Sequence, residues 1–242
     1  MRYAILSDIH GNIEAFRAVC DALSTEGIDR YLSTGDVVGY GADPASCIAL
    51  LRSLKPEATV AGNHDWGVAG LADISYFNHM ARSAVIWTKG VLGKDDIGYL
   101  GSFPLVYERD GVTVVHGTLD EPESFSYILT ADDASPTADM MNTDICFVGH
   151  SHCPGIFVSA SGRVRPLSGT GVTLESGKRY VVNAGSIGQP RDSDPRASFV
   201  VYDERERTVE IKRAAYDIGA AQKKIMSAGL PRELALRLAE GA

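Results

Sequence analysis

Five times along the chain a short apolar run stops at a glycine flanked by aspartate, asparagine or histidine. Tyr3-Ala4-Ile5-Leu6 gives way to Ser7-Asp8-Ile9-His10-Gly11-Asn12, and Arg30 to Thr34 leads to Gly35-Asp36. Glu57 to Ala61 runs into Gly62-Asn63-His64-Asp65, Val112 to Val115 into His116-Gly117, and Ile145 to Val148 into Gly149-His150-Ser151-His152. Apolar runs this short, bounded by turn residues, read as buried strands. Side chains alternate along a strand, so Asp8 and His10 leave one face of the first strand's carboxyl end. In open α/β sheets ligands bind beyond those ends. The pattern therefore predicts an α/β fold that gathers its polar groups on one rim.

The segments between these runs agree. Ile13, Phe16, Ala18, Val19, Ala22 and Leu23 share a helical face over 12–25, and a second helix follows the glycine-rich Gly39-Tyr40-Gly41 loop at about 44–53. With a strand at 57–61, the first quarter reads β-α-β-α-β, a parallel sheet with right-handed crossovers. Residues 66–103 read as helices. Leu105 to Arg109 and Val112 to Val115, joined by Asp110-Gly111, have hairpin spacing. Residues 120–142 look helical in parts. Strands are expected at 155–158, 179–182, 197–203 and 208–213, and helices at 217–227 and 231–239. No repeat or linker divides the chain, so a single domain over 1–242 is expected.

A net charge of -8 argues against a broad nucleic-acid or anionic membrane surface. Long nucleic acid is accordingly not the expected partner, and nothing in the sequence bears on oligomer formation. The four cysteines, Cys20, Cys47, Cys146 and Cys153, lack C-x-x-C spacing and read as free thiols of a reducing compartment. Neither a secretory signal nor a membrane span is indicated, which makes the cytoplasm the expected location.

Of six histidines only His79 lies outside the strand-end motifs. Asp8, His10, Asp36, Asn63, His116, His150 and His152 form a set too large for one tetrahedral zinc, which takes about four ligands. It suits two ions if a carboxylate bridges them, and Asp36, alone at its strand end, is placed to do so. Mixed imidazole and carboxylate ligation fits manganese, iron, zinc, cobalt or nickel better than calcium or magnesium. Ions about 3.5–4 Å apart suit in-line attack on phosphorus. Two divalent cations would also outweigh the charge of Asp8, Asp36 and a hydroxide, and so attract an anionic ester to an acidic chain.

The ordered motifs SDIHGN, GDVVGYG, GNHD, VVHG and GHSH resemble those of the calcineurin-like metallophosphoesterase superfamily. The later GSIGQPRD segment is similar to that of its small bacterial phosphodiesterase-type members. The resemblance implies a four-layer α-β-β-α sandwich, with two mixed sheets flanked by helices. It implies two metal ions, one on Asp8, His10 and His152 and the other on Asn63, His116 and His150, bridged by Asp36. It also implies hydrolysis of a small phosphate ester, a phosphodiester above all, by in-line attack of a metal-bound hydroxide. His64 stays off the metals in this reading. As neighbours in extended backbone, Asn63 and His64 point different ways, so His64 is free to stabilise the transition state or protonate the leaving alkoxide. Asp65 is expected to orient the His64 imidazole.

Relatives that dephosphorylate proteins or cleave dinucleoside tetraphosphates carry an arginine after the second motif, whereas this chain has Val37-Val38-Gly39-Tyr40. Arg191 or Arg196 could supply the missing phosphate contact, or could instead pair with Asp192 and Asp194. Tyr40 either lines the cleft or packs its loop. Trp66, Phe77 and Trp87 form either a wall over the site or ordinary core. Cys153, beside His152, is either redox-active or inert. The helical set Ile218, Ala221, Ile225, Leu230, Leu234 and Leu238 is expected to pack on the domain. Two functional alternatives remain: a phosphomonoesterase or nucleotide phosphatase using the same residues, and a non-catalytic metal-binding interaction module.

Overall fold

The computed structural model describes residues 1–242. The first strand, β1 (Arg2–Leu6), shows how the layers arise. Tyr3 and Ile5 face one core while Ala4 and Leu6 face another, and all four are buried. A strand apolar on both faces belongs inside a layered fold. Helix α1 (Ile13–Leu23) follows, capped by the Asn12 side chain, which accepts from the Ala15 N–H at 3.1 Å. Its buried face of Phe16, Val19 and Leu23 covers the outer side of β1. Strand β2 (Arg30–Ser33), helix α2 (Pro44–Ser53) and strand β3 (Ala58–Thr59) complete the crossovers, with β1, β2 and β3 mutually parallel.

Helices α3 (Asn63–Ala69), α4 (His79–Val91) and α5 (Lys94–Gly101) then lead to the hairpin of β4 (Val106–Arg109) and β5 (Val112–Val115). After helix α6 (Ala131–Met140) come β6 (Ile145–Val148), β7 (Gly155–Ala160), β8 (Arg163–Leu167), β9 (Gly171–Thr173) and β10 (Arg179–Asn183). The long antiparallel pair β11 (Ala197–Asp203) and β12 (Thr208–Ala214) precedes helices α7 (Ile218–Ser227) and α8 (Arg232–Glu240).

The strands form two six-stranded mixed sheets, ordered β3-β2-β1-β11-β12-β9 and β4-β5-β6-β10-β7-β8. Tyr3, Ile5 and Val200 of the first meet Phe147, Tyr180 and Val182 of the second in the core between them. Helices α1, α2, α3 and α5 cover the outer face of the first sheet, and α6 covers the second at Cys146, Val148 and Val181. This is the four-layer α-β-β-α sandwich expected from the sequence. The C-terminal set packs as well: Ala221, Ile225, Leu234 and Leu238 close against Ala81, Ala84 and Tyr40.

Several boundaries differ from the sequence reading. The strand expected at 57–61 shrinks to Ala58–Thr59, because the Ala61 N–H turns away to the Pro104 carbonyl at 2.8 Å. The helical stretch of 66–103 begins earlier, at Asn63, and is broken twice, at 70–78 around the 3-10 turn Ile74–Tyr76 and again at Leu92 and Gly93. In 120–142 the only long helix starts where Thr130 and Asp133 cap each other reciprocally. Strands β8 and β9 are mostly exposed, so no apolar run marks them.

Candidate metal centre

The rim is built by backbone pairing that continues past the strand ends. Beyond β1 and β2 the two loops stay joined: the Asp8 N–H donates to Gly35 (3.0 Å), His10 to Asp36 (2.9 Å) and Gly11 to Val37 (3.0 Å). From the second sheet the Gly149 N–H donates to His116 (2.9 Å), and Gly188 ties back to Asp8 (2.9 Å). Asp8, His10, Asp36, Tyr40, His150 and His152 all have φ between 49° and 64°. Residues with a Cβ avoid this left-handed region, so the rim stores strain to aim these side chains. Gly62 and Gly149 supply clearance: a methyl group would strike Oδ1 of Asp36 at the first and Oδ2 of Asp8 at the second.

Each carboxylate is held by one oxygen and offers the other. Asp8 Oδ2 accepts from the His150 N–H (3.0 Å) and from the Ser7 hydroxyl. Its Oδ1 is buried without a hydrogen-bond donor, 3.2 Å from His152 Nε2 and 3.6 Å from His10 Nε2. Asp36 Oδ1 accepts from the His64 N–H (2.8 Å). Its Oδ2 lies 3.4 Å from His116 Nε2 and 3.6 Å from His10 Nε2. The imidazoles are oriented from behind: Nδ1–H of His10, His116 and His152 donates to the carbonyls of Val38 (3.0 Å), Thr34 (2.8 Å) and Gln189 (2.6 Å). That tautomer leaves each Nε2 with an inward lone pair. His10 and His152 then meet Nε2 to Nε2 at 3.0 Å, and His116 Nε2 meets His150 Nδ1 at 3.0 Å.

Nitrogen lone pairs facing one another beside a bare carboxylate oxygen repel, unless a cation lies between them. The donor set and its orientation therefore fit metal ions. Three sets have their ligand atoms within 4.8 Å of one another: Asp8 with His10 and His152, Asp36 with His116 and His150, and His10 with Asp36 and His64. The Asn63 side-chain Oδ1 is likewise buried and unpartnered. Burial opposes charge on His116, but Asp36 and Asp8, with hydrogen bonding, raise its pKa to about 9, so the carboxylates draw positive charge to this spot, whether a proton on the ring or a metal cation at its Nε2.

His64 is buried, packed between Tyr40 (centroids 4.4 Å apart) and Phe77 (5.4 Å), and its Nδ1 has no partner. Burial pushes its pKa down to about 3, so it stands as a neutral imidazole. Asn63 and His64 are not in extended backbone; they open α3, and helical geometry separates their directions. Asp65 also departs from expectation. Its carboxylate does not touch the His64 ring but accepts from the backbone N–H groups of Asp36 (2.7 Å), Val37 (2.9 Å), Val38 (3.3 Å) and Gly62 (3.2 Å). It shapes the Asp36 loop and caps α3, because those four N–H groups converge where the first helical turn begins.

The rim opens into a cleft of about 790 Å³. Arg191 and Tyr40 both line it, and the Arg191 guanidinium donates to the Tyr40 hydroxyl (3.3 Å) and to Gln189 Oε1 (3.1 Å). Arg191 pairs with no carboxylate, whereas Arg196 pairs with Asp194 and Arg213 with Asp192. Trp66 and Phe77 also line the cleft, but Trp87 packs in the α4–α7–α8 core instead. Cys153 is a half-buried free thiol donating to the Arg191 carbonyl at 3.3 Å, and burial pushes its pKa up, away from a reactive thiolate. The sequence reading missed Phe125 and Tyr127. Tyr127 lies flat on His150, with centroids 4.0 Å apart and planes 14° apart. No periodicity marks either residue.

Comparison with known proteins agrees with this fold. A model of the calcineurin-like phosphoesterase superfamily domain matches residues 1–207. An uncharacterized protein of Methanocaldococcus jannaschii is 39% identical over 241 residues, covering 97% of this chain and 96% of that protein. The crystal structure of a metallophosphoesterase from Sphaerobacter thermophilus superposes with a TM-score of 0.89 at 38% identity, covering 100% of this chain and 99% of the other. A hypothetical protein from Pyrococcus horikoshii shares the fold at 20% identity, with a TM-score of 0.80 and coverage of 100% and 98%. The chain belongs to the calcineurin-like phosphoesterase superfamily and is a metallophosphoesterase, a hydrolase of phosphoric esters.

Proposed function

We propose that the chain is a dinuclear metal-dependent phosphodiesterase acting on small phosphate esters. The observation that carries this reading is the position of Asp36 Oδ2, a single oxygen between His116 Nε2 at 3.4 Å and His10 Nε2 at 3.6 Å. One atom thus faces both histidine groups. Asp8, His10 and His152 would hold one ion, Asn63, His116 and His150 the other, with Asp36 shared. When bound, two divalent ions supply Lewis acidity toward phosphoryl oxygens and activate water.

The chain's own residues do the rest. His64, neutral and beside His10 and Asp36, is kept for the substrate in this reading and offers a ring N–H to the phosphoryl oxygens as charge builds there or to the departing alkoxide. Asp65 keeps the Asp36 loop in its strained path, so the shared oxygen is placed before substrate arrives. Arg191, unpaired and braced by Tyr40 and Gln189, presents its guanidinium to a non-bridging phosphate oxygen. A cleft of about 790 Å³ has room for organic groups on both sides of a phosphate, which supports a diester. The unpaired Arg191 is the one feature that favours the second reading, a phosphomonoesterase, whose substrate carries an extra charge.

Assay of the manganese-loaded protein on bis(4-nitrophenyl) phosphate and 4-nitrophenyl phosphate separates the two. The proposal expects a higher kcat/KM on the diester. Turnover of the monoester alone would replace it with the second reading.

A further inference from the structure

Beyond the metal rim, the cleft is walled by two segments with little regular structure. Leu71, Tyr76 and Phe77 belong to the first, which joins α3 to α4; Phe125 and Tyr127 belong to the second, before α6. Leu71, Tyr76 and Tyr127 are 56%, 90% and 49% exposed. Large apolar side chains left in water around one cleft mark a binding surface. The second segment is strained as well: Glu121 and Phe125 take φ of 47° and 49° on either side of the 3-10 turn Pro122–Ser124. A positive φ is costly for an aromatic residue and persists where the surroundings impose it. Here it sets Phe125 edge-on to Trp66 (5.9 Å) and to His116 (5.8 Å), while Tyr127 stacks on His150.

The polar groups of the cleft narrow the occupant. Its metal end carries Arg191, whereas the exposed aromatic segments carry the carboxylates of Asp73 and Glu123. Carboxylates there repel a second phosphate and accept hydrogen bonds from N–H groups. The Trp66 Nε1–H is buried in the wall without a partner.

We infer that this cleft binds the planar, uncharged ring of a nucleotide-type phosphodiester, a nucleobase lying between the Tyr76 and Tyr127 segments with its phosphate on the rim. The inference rests on the phosphodiesterase reading and names its substrate class. A stacked base in such a site is worth roughly tenfold in affinity or more. Tyr76 and Tyr127 are specificity-determining residues in this account.

Calorimetry on the manganese-loaded protein tests it by comparing ribose 5-phosphate with adenosine and uridine 5′-monophosphates, which differ from it only in the base. Nucleotides are expected to bind at least about tenfold more tightly. That advantage should shrink severalfold in Tyr76→Ala and in Tyr127→Leu; Tyr76 is nearly fully exposed, so its removal spares the core. Equal affinity for all three ligands, or an advantage unchanged in both variants, overturns the inference. Benzyl phosphate bound as tightly as the nucleotides would also overturn it, by showing a site for any aryl group. Turnover of bis(4-nitrophenyl) phosphate by the same preparation reads the hydrolase proposal separately. No turnover with a base-dependent affinity would remove that proposal and leave the aromatic cleft standing.

Discussion

The two ends of β1 treat charge in opposite ways. At its start, Arg2 donates to Glu26 at 2.8 Å, Lys212 pairs with the same carboxylate, and Asp203 lies 3.9 Å from Arg2. These side chains are between 20% and 35% exposed, and plus meets minus within the chain. At its end, Asp8 and Asp36 are at most 1% exposed, and their only ion-pair neighbours are imidazoles. Buried carboxylates without a cationic partner are costly. One end is therefore completed by its own sequence, and the other by something it must bind. Stability and function are divided along a single strand.

The largest effect expected from breaking that contrast is at Asp36. Asp36→Asn keeps the shape but weakens the shared oxygen, and kcat/KM should fall by about 10³-fold or more, with the metal content falling too. Elemental analysis alongside kinetics checks both, and full activity would refute the bridging role. His64→Ala is expected to lower kcat about 10²–10³-fold while metal content stays at the wild-type value. Equal loss of metal in that variant would show His64 to be a ligand.

Removing metal sharpens the contrast in stability. A ligand at about 1,000 times its Kd stabilises by about 4 kcal/mol, and each kcal/mol is worth about 2–4 °C in a chain of this size. Chelation should thus lower Tm by roughly 8–16 °C in wild type. An unchanged Tm would mean that the rim is satisfied without ions.

The smallest effect belongs to the other end. The hydrogen bond from Lys212, aided by Arg2, holds the Glu26 carboxyl below its ordinary value of 4.5. A depressed pKa stabilises above the unfolded value and is lost as pH falls through the folded one. Glu26→Gln should cost about 0.5–1 kcal/mol at neutral pH and flatten the decline of Tm below pH 4.5. Metal content should not change.

The rim was legible in the sequence because the candidate ligands all fall within four residues of a strand's end, in short segments that contain a glycine. Strand periodicity and glycine clearance are local, and they carried Asp8, Asp36 and His150 into place. Asp65 was misread because its partners, Asp36, Val37 and Val38, lie on another loop, and nothing in Gly62-Asn63-His64-Asp65 shows which backbone it will meet. The aromatic wall was illegible for the same reason. Tyr127 follows no strand and its contact with His150 is long-range, while Tyr76 has no buried face to leave a period. The four layers followed from the family resemblance of the ordered motifs, the order of strands and helices giving only an α/β fold; β8 and β9 did not, since exposed strands carry no apolar signature.

The central claim is that one carboxylate oxygen of Asp36 joins two ions. Electron paramagnetic resonance of the manganese-saturated protein, with manganese counted per chain, tests it most directly. The account predicts two manganese ions per chain and an exchange-coupled spectrum that Asp36→Asn abolishes. A single ion per chain, or two ions with uncoupled spectra, would contradict it.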